Sequence, residues 1–324
     1  MSGMRKCYAI FRFLSEENKR HMAEVAAECG FEIGFFDTNE EASGKVSDAE
    51  AIYCNDAVLF DEMPDLRWCH SSSAGVGHFI ASGAFDSGKI ALTNSSGSYG
   101  LAISEYAVMA ALLLMRRMPE YFEAVERREW LQNLRIRSIK GSRIAIMGTG
   151  NIGQNAAKRF KALEAEKVVG FSRSGRPQPG FDETHTIDEF EAVMSSESFD
   201  VLLLCVPGTP ESEGLLSRER IGCLSENTFV INVGRGTVVD QDALVDALNS
   251  GRIAGAAIDV MYPEPLPADH PLWTARNCIV TPHISGDMGL PYTVDRTVEI
   301  FCDNLRRFSR GEELTHLVDI SAGY

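Results

Sequence analysis

Three side chains that could bind and protonate a small anion stand near the ends of predicted strands. Arg235 lies between two glycines directly after the apolar run 229–233, where its guanidinium could hold a carboxylate through two parallel hydrogen bonds. The two flanking glycines would leave room for the bound molecule. His283 follows the apolar pair 279–280, and Glu264 lies between two prolines. A histidine that protonates a ketone oxygen benefits from a buried carboxylate, because the carboxylate fixes the ring tautomer. Together the three residues suit the reduction of a 2-keto acid.

Each of these residues also has an ordinary structural interpretation when taken alone. Arg235 could pair with a carboxylate that closes two domains against each other, and Glu264 could be a turn carboxylate. His283 could be structural, like most of the seven histidines in the chain. Their common position at strand ends favours the catalytic interpretation, because ligands of parallel sheets bind at the carboxyl ends of the strands.

A glycine-rich turn in residues 142–174 predicts a dinucleotide site. The apolar run 144–147 meets the turn G-T-G-N-I-G, helical spacing follows, and a second apolar run closes a βαβ unit. Gly148 would make the tight turn, Gly150 would let phosphates approach, and Gly153 would allow close helix packing. The helix N-terminus would direct backbone N–H groups at a pyrophosphate. The alternative is a plain glycine-rich loop, which the flanking strands disfavour.

Apolar runs alternate with polar or helical segments along most of the chain, a pattern typical of doubly wound parallel α/β sheets. We expect an amphipathic helix at 16–29 and a last helix at 294–308. Strand-like runs occur at 7–13, 33–36, 51–53, 58–60, 68–71, 201–206, 229–233, 253–260 and 279–280. The residues after these strands (207–209, 234–236, Asp259 and 282–283) are therefore the candidates for a site.

Two further segments have distinctive patterns. The turn S-S-S-A-G-V-G-H at 71–78 could offer backbone N–H groups to a carboxylate, or be a simple βα loop. The stretch 101–118 is apolar on nearly every side, which predicts a helix buried against a domain core and a second subunit. Arg116, Arg117 and Pro119 mark its end, and the charged stretch 120–130 could extend as an arm.

Composition narrows the class of protein. A length of 324 residues predicts two domains. The net charge of −15, with no run of Lys or Arg longer than two, argues against nucleic-acid or anionic-membrane partners. Eight scattered cysteines predict reduced thiols and no metal site. We expect no signal peptide and no membrane span, and hence a cytoplasmic protein acting on small molecules.

Several motifs resemble the D-isomer-specific 2-hydroxyacid dehydrogenase family over about residues 67–310. They are G-T-G-N-I-G, L-C-V-P-G-T-P-E-S, V-G-R-G, D-V-M-Y-P-E-P-L-P, H-P-L-W and I-V-T-P-H-I-S-G. The resemblance implies two Rossmann-like or flavodoxin-like domains: a discontinuous substrate domain (1–98 plus 290–324) and an inserted dinucleotide-binding domain (99–289). It also implies a homodimer formed through the helix and arm at 101–130.

The resemblance also implies roles for single residues. Arg235 would bind the substrate carboxylate and carbonyl, His283 would be the acid/base supported by Glu264, and Asp259 would contact the nicotinamide amide. The backbone of Gly75, Val76 and Gly77 would hold the substrate carboxylate. Cofactor contacts are implied at Gly148, Gly150, Asn151, Ile152, Gly153, Ser172, Arg173, Ser174, Val206, Pro207, Thr209, Val233, Asp259 and Gly286.

The chain departs from the family pattern at two places. One loop reads G-V-G-H where many members have G-V-D. The second cofactor-domain strand ends in Ser172-Arg173-Ser174, where NAD users carry an aspartate that binds the ribose hydroxyls and repels a 2′-phosphate. An arginine there predicts a preference for NADP(H) over NAD(H), whereas the alternative is an exposed arginine that only solvates a turn.

The sequence thus predicts NADPH-dependent reduction of a small or medium 2-keto acid to the D-2-hydroxy acid. Glyoxylate, hydroxypyruvate and aliphatic keto acids stay open, because loops of both domains shape the pocket, including 95–99. A dinucleotide-binding corepressor-like or sensor protein is the alternative, which the intact Arg235, Glu264 and His283 disfavour. No feature selects formate or phosphite oxidation. No regulatory domain is expected after residue 310, which disfavours an allosteric phosphoglycerate-type enzyme.

Overall fold

A computed structural model describes residues 4–320 and divides the chain into two compact units. One unit joins the residues up to Tyr99 with those from Met288 onward, and the other is Gly100–Asp287. No helix in the described range is long and apolar enough to cross a membrane.

The strands in chain order are β1 Arg5–Ile10, β2 Phe31–Phe36, β3 Ala49–Cys54, β4 Trp68–Ser71, β5 Ala91–Thr93, β6 Arg143–Met147, β7 Lys167–Ser172, β8 Glu183–Thr186, β9 Val201–Leu204, β10 Phe229–Asn232, β11 Gly255–Ile258 and β12 Cys278–Val280. The helices are α1 Glu16–Glu28, α2 Asn39–Ala42, α3 Gly77–Ala81, α4 Gly100–Met115, α5 Met118–Glu126, α6 Asn151–Ala162, α7 Phe190–Ser196, α8 Arg218–Gly222, α9 Gln241–Asn249 and α10 Pro291–Arg310.

The first unit is a parallel sheet of order β2-β1-β3-β4-β5 with apolar clusters on both faces. Alternate strand residues point to opposite faces, so Ala51 and Tyr53 pack with α1 and α10, while Ile52 and Cys54 pack with the segments around Phe60 and Phe79. The unit needs both ends of the chain, because α10 supplies part of the first cluster.

The second unit is a parallel sheet of order β12-β11-β10-β9-β6-β7-β8. One face packs against α7, α8 and α9 through residues such as Met147 and Leu204. The alternate residues, such as Ile146 and Leu203, belong to the other face, and α4 packs against α6, β10 and β11. The strand order reverses beside β6, which puts the glycine turn at a switch point where ligands bind. The predicted fold class is confirmed.

The structure corrects two features of the predicted strand pattern. Residues 58–60 are not a strand: Val58 is exposed, its N–H donates to the Asp56 carboxylate in a turn, and Phe60 begins a short 3₁₀ helix. The strands β5 and β8 were not predicted, because each is short; β8 is polar and lies at the sheet edge.

The apolar helix ends earlier than residue 118. The α4 helix stops at Met115, Arg117 takes a left-handed backbone conformation at φ 57°, and α5 begins at Met118 with Pro119 in its first turn. The predicted arm is therefore a separate helix, α5, followed by a segment without regular structure at 129–138.

Candidate active site

His283 and Glu264 form the pair that the sequence predicts. The His283 ring Nδ1 lies 2.8 Å from Glu264 Oε2, and the other carboxylate oxygen accepts a hydrogen bond from the Met261 N–H at 2.9 Å. Contrary to the sequence expectation, the carboxylate is not buried: its side chain is 35% exposed and that of His283 48%. Because Nδ1 faces the carboxylate, Nε2 is the nitrogen available to a substrate.

Asp259 organises the loop that carries His283. Its side chain is fully buried and accepts hydrogen bonds from the Ile284 and Ser285 N–H groups, each at 2.9 Å. Its backbone carbonyl accepts the His283 N–H at 2.8 Å. His283 itself has a left-handed backbone at φ 56°, which the surrounding bonds must hold because a Cβ disfavours it. A contact between Asp259 and nicotinamide stays a prediction.

A hydroxyl chain from α4 reaches the same carboxylate. The Thr281 hydroxyl donates to Asp259 Oδ1 at 2.6 Å, so Thr281 Oγ1 accepts the hydrogen bond from the Tyr106 hydroxyl, also at 2.6 Å. Burial raises the pKa of Tyr106 to about 12, which keeps this hydroxyl protonated at neutral pH. Sequence reasoning missed Tyr106, because nothing in the pattern of α4 separates it from its apolar neighbours. The T-P-H motif was a usable signal for Thr281.

Arg235 is a partly buried cation beside this pair. Its guanidinium donates to the Gly234 carbonyl at 2.7 Å, and no carboxylate of the described chain comes within 4.0 Å of it. Burial lowers the pKa of Arg235, while the charge of Glu264 opposes the shift. Arg235 is therefore not paired with a carboxylate of the described chain, which was the structural interpretation of this residue. The remaining N–H donors can therefore serve an anion.

The glycines around Arg235 have a different purpose from the predicted one. A Cβ on Gly234 would lie 2.6 Å from the Val206 carbonyl oxygen, and one on Gly236 would lie 2.0 Å from the Met261 backbone. These glycines let neighbouring backbone segments approach, rather than leaving room for a substrate. The Arg235 loop and the loop before Glu264 therefore pack directly on each other.

The glycine turn between β6 and α6 fits a dinucleotide. Gly148 has φ 109°, as a tight turn requires, and a Cβ on Gly153 would lie 2.0 Å from the Gly148 carbonyl oxygen. A Cβ on Gly150 would meet nothing within 4 Å, so the space before this backbone is open. Asn151 and Ile152 begin α6, whose first N–H groups lack partners within the helix. The cradle suits a pyrophosphate.

The segment after β7 is polar and accessible. Arg173 and Ser174 are exposed, and Ser172 Oγ accepts the Gly175 N–H at 3.2 Å, which shapes the turn. A second exposed arginine, Arg176, lies three residues further on, and sequence reasoning did not single it out. The two cations flank one short turn.

The other predicted cofactor contacts lie at strand ends of the same unit. Val206 and Val233 are buried just after β9 and β10, and Pro207 is exposed. Thr209 caps a short 3₁₀ helix through its bond with Ser212, whereas Gly286 lies in the turn after the His283 loop. Their contacts with a cofactor stay predictions.

The predicted substrate loop belongs to the first unit. Val76 is 1% exposed and precedes the five-residue α3, which starts at Gly77; Gly75 is partly exposed. Its role in binding a carboxylate stays a prediction.

A buried histidine network lies under this loop. The Trp68 indole N–H donates to Thr93 Oγ1 at 2.9 Å, and Thr93 lies 2.7 Å from His70 Nδ1. Ser95 donates to the Ser71 carbonyl at 2.8 Å, so its oxygen accepts the His70 Nε2–H at 3.2 Å. These bonds place a proton on Nε2, and burial lowers the pKa of His70 to about 3, so the ring is neutral at neutral pH. The network ties the start of the loop to the segment that follows β5.

Known proteins match this chain along most of its length. A family model for the NAD binding domain of D-isomer specific 2-hydroxyacid dehydrogenases matches residues 108–285. A glyoxylate reductase of Thermofilum pendens is 30% identical over 87% of this chain and 85% of its own. A hydroxypyruvate reductase of Blautia hydrogenotrophica is 29% identical over 84% of this chain and 86% of its own.

Solved structures agree with these matches. A family member from Aeromonas salmonicida has a TM-score of 0.83 at 30% identity, covering 98% of this chain and 100% of its own. An NADPH-dependent glyoxylate/hydroxypyruvate reductase from Sinorhizobium meliloti, in complex with NADP and sulfate, has a TM-score of 0.79 at 27% identity, covering 98% and 99%. The chain therefore belongs to the D-isomer specific 2-hydroxyacid dehydrogenase family and is an oxidoreductase that acts on CH–OH groups with a nicotinamide dinucleotide.

Proposed function

We propose that this protein reduces small 2-keto acids to D-2-hydroxy acids with NADPH. The observation that carries the proposal is Arg235, a desolvated guanidinium without a carboxylate partner in the described chain, beside the His283–Glu264 pair. An anion-binding cation next to a proton donor is what a keto acid requires. The names of the relatives from Thermofilum pendens, Blautia hydrogenotrophica and Sinorhizobium meliloti support glyoxylate and hydroxypyruvate as the first substrates to test.

The residues have separate tasks in this mechanism. Arg235 holds the substrate carboxylate and turns the keto oxygen toward the histidine. His283 protonates that oxygen from Nε2, and Glu264 holds the ring through Nδ1 and stabilises its charged form. A nicotinamide dinucleotide, when bound at the glycine turn after β6, would supply the hydride. Asp259 keeps the His283 loop in place through its backbone hydrogen bonds.

The cofactor preference is proposed from the turn after β7. Arg173 and Arg176 are both exposed there, and no carboxylate ends this strand. A charge-assisted hydrogen bond to a 2′-phosphate contributes about 1.5–3 kcal/mol, enough for at least about tenfold discrimination. An aspartate at this place would instead repel the phosphate.

We expect wild-type kcat/KM to be at least about tenfold higher with NADPH than with NADH, and Arg173→Ala to reduce that ratio by about tenfold. The assay would first compare glyoxylate, hydroxypyruvate, pyruvate, and branched-chain and aromatic 2-keto acids, and then use the one that turns over fastest. Because Arg173 would contact only the phosphate end, kcat/KM with NADH should change little.

Arg67→Ala is a matched control, since this arginine is exposed in the first unit. A wild-type ratio near one, or a ratio that Arg173→Ala leaves unchanged, would remove Arg173 from cofactor selection. Failure of every keto acid with both cofactors would overturn the proposed function itself.

We also propose a homodimer formed through α4, α5 and the following segment. Exposed apolar side chains are concentrated there: Met109, Leu112, Phe122, Val125, Trp130, Leu131 and Ile136. Apolar patches of this kind on soluble proteins mark interaction sites, and most soluble oligomers are symmetric dimers of one chain.

Light scattering at micromolar concentration should give about twice the chain mass of 35.6 kDa. Val125→Lys should move the mass toward that of one chain, because Val125 is 71% exposed within this patch. Val58→Lys is the control, since Val58 is 69% exposed but lies in the other unit. A monomeric wild type would contradict the dimer, as would equal effects of the two substitutions.

We propose a cytoplasmic location because of the state of the cysteines. All eight are free thiols in the structure, which suits a reducing compartment. Cell fractionation would test this, and recovery only from an oxidising compartment would contradict it.

A further inference from the structure

The loop that carries Glu264 is exposed and needs an anchor. Met261 is buried, but residues 262–265 are exposed, and the Tyr262 side chain is 66% exposed. Exposed loops are the mobile parts of proteins, whereas a carboxylate that orients a catalytic ring must be held closely.

Gln241 provides such an anchor. Its Nε2 donates to the Tyr262 carbonyl at 2.5 Å, and its Oε1 accepts the Tyr262 N–H at 3.0 Å. One amide side chain thus satisfies both backbone groups of a single loop residue, in the way that a neighbouring strand would. Two such bonds fix the orientation of the peptide as well as its position.

Gln241 lies at the start of a helix that is fixed in the core. Gln241 is the first residue of α9, and Asp240 caps this helix by accepting the Ala243 N–H at 2.9 Å. The next turns are buried in the core of the unit through Leu244 and Leu248. The close approach of Gly236 to the Met261 backbone holds the start of the loop, and Gln241 holds the following residue.

We propose that Gln241 is a positioning residue for the reaction, acting on His283 through Glu264. Two bonds complete the connection: the Met261 N–H to Glu264 Oε1 at 2.9 Å, and Glu264 Oε2 to His283 Nδ1 at 2.8 Å. This inference rests on the proposed function. Without Gln241 the loop would no longer hold the Glu264 carboxylate in one position. The His283 ring would then sample unproductive orientations.

A double-mutant cycle tests this with full-length protein and the best keto acid. Gln241→Ala should lower kcat by about fivefold, which is within the range of interaction energies measured between residues of one hydrogen-bond network. The KM for NADPH should not change. In a Glu264→Ala background the same substitution should have no further effect, because no carboxylate is left to position. Asp242→Ala, at the exposed next position of the same helix, is the control and should keep the wild-type kcat.

NADPH binding and the thermal melting temperature of each variant show whether it is folded. If Gln241→Ala lowers kcat equally in both backgrounds, the residue does not act through Glu264 and the inference is wrong. A wild-type kcat for Gln241→Ala would also overturn it. An inactive wild type would instead reject the proposed function, so the two failures are distinguishable.

Discussion

Replacing His283 with alanine is expected to lower keto-acid reduction by about 10²-fold or more, the usual size for loss of general acid catalysis. The ring Nε2 is the atom that would carry the proton, since Nδ1 is taken by Glu264. The affinity for NADPH should remain near that of the wild type, because the glycine turn after β6 is untouched. Steady-state kinetics and NADPH fluorescence titration would measure the two quantities.

The backbone at His283 calls for a second variant. Its φ of 56° disfavours alanine, whereas asparagine tolerates the left-handed region. His283→Asn should therefore be as inactive as His283→Ala but more stable. Arg235→Ala should differ from both by raising the keto-acid KM as well as lowering kcat. Near-native turnover by His283→Asn would reject the mechanism.

The first unit is expected to lose stability in mild acid because of His70. Burial lowers the pKa of this fully buried ring to about 3, with a smaller contribution from His316. The unfolded chain binds a proton below about pH 6.5, whereas the folded protein does so only near pH 3. The neutral His70 ring therefore costs the folded protein nothing well above pH 6.5, and the free energy of unfolding falls by about 2 kcal/mol as the pH is lowered from 8 to 5.

Tryptophan fluorescence can follow this unit alone. Of the three tryptophans only Trp68 lies in the first unit, so the variant Trp130→Phe/Trp273→Phe reports on it. Urea unfolding at pH 8, 6.5 and 5 should show the loss, and His70→Gln should abolish it while lowering stability at pH 8. His21→Gln, at an exposed histidine of α1, should keep the acid sensitivity. An unchanged pH dependence in His70→Gln would disprove the assignment.

The sequence predicted those parts of the fold that depend on patterns within one segment. The βαβ unit around Gly148 was found because a strand, a turn and a helix with separate signatures follow one another. The edge strand β8 was missed, because Glu183–Thr186 is polar and depends on pairing with β7. The end of the apolar helix near Arg117 was predicted from Arg116, Arg117 and Pro119, but the left-handed backbone at Arg117 was not, because an arginine gives no local signal for that conformation.

Some residues of the candidate site could likewise be predicted from the sequence, and others could not. His283 and Glu264 could be paired from the strand ends and the family motifs, and the structure brings them within hydrogen-bond distance. Tyr106 and Gln241 could not be paired with their partners from the sequence, because each bond joins separate elements. Tyr106 lies 175 residues from Thr281, and Gln241 lies 21 residues from Tyr262. The need for glycine at position 236 could not be predicted either, because only the folded chain brings the Met261 backbone against it.

Because α10 supplies part of the core of the first unit, this unit is the first to be synthesised but cannot be the first to complete its fold. Phe301 stacks on Trp68 with ring centroids 5.2 Å apart, and Thr297 bonds to the Tyr53 hydroxyl at 2.7 Å inside the core. Residues up to Tyr99 therefore leave the ribosome long before their last core element exists. The continuous unit Gly100–Asp287 can close during translation, whereas the core of the first unit stays incomplete until α10 has been synthesised.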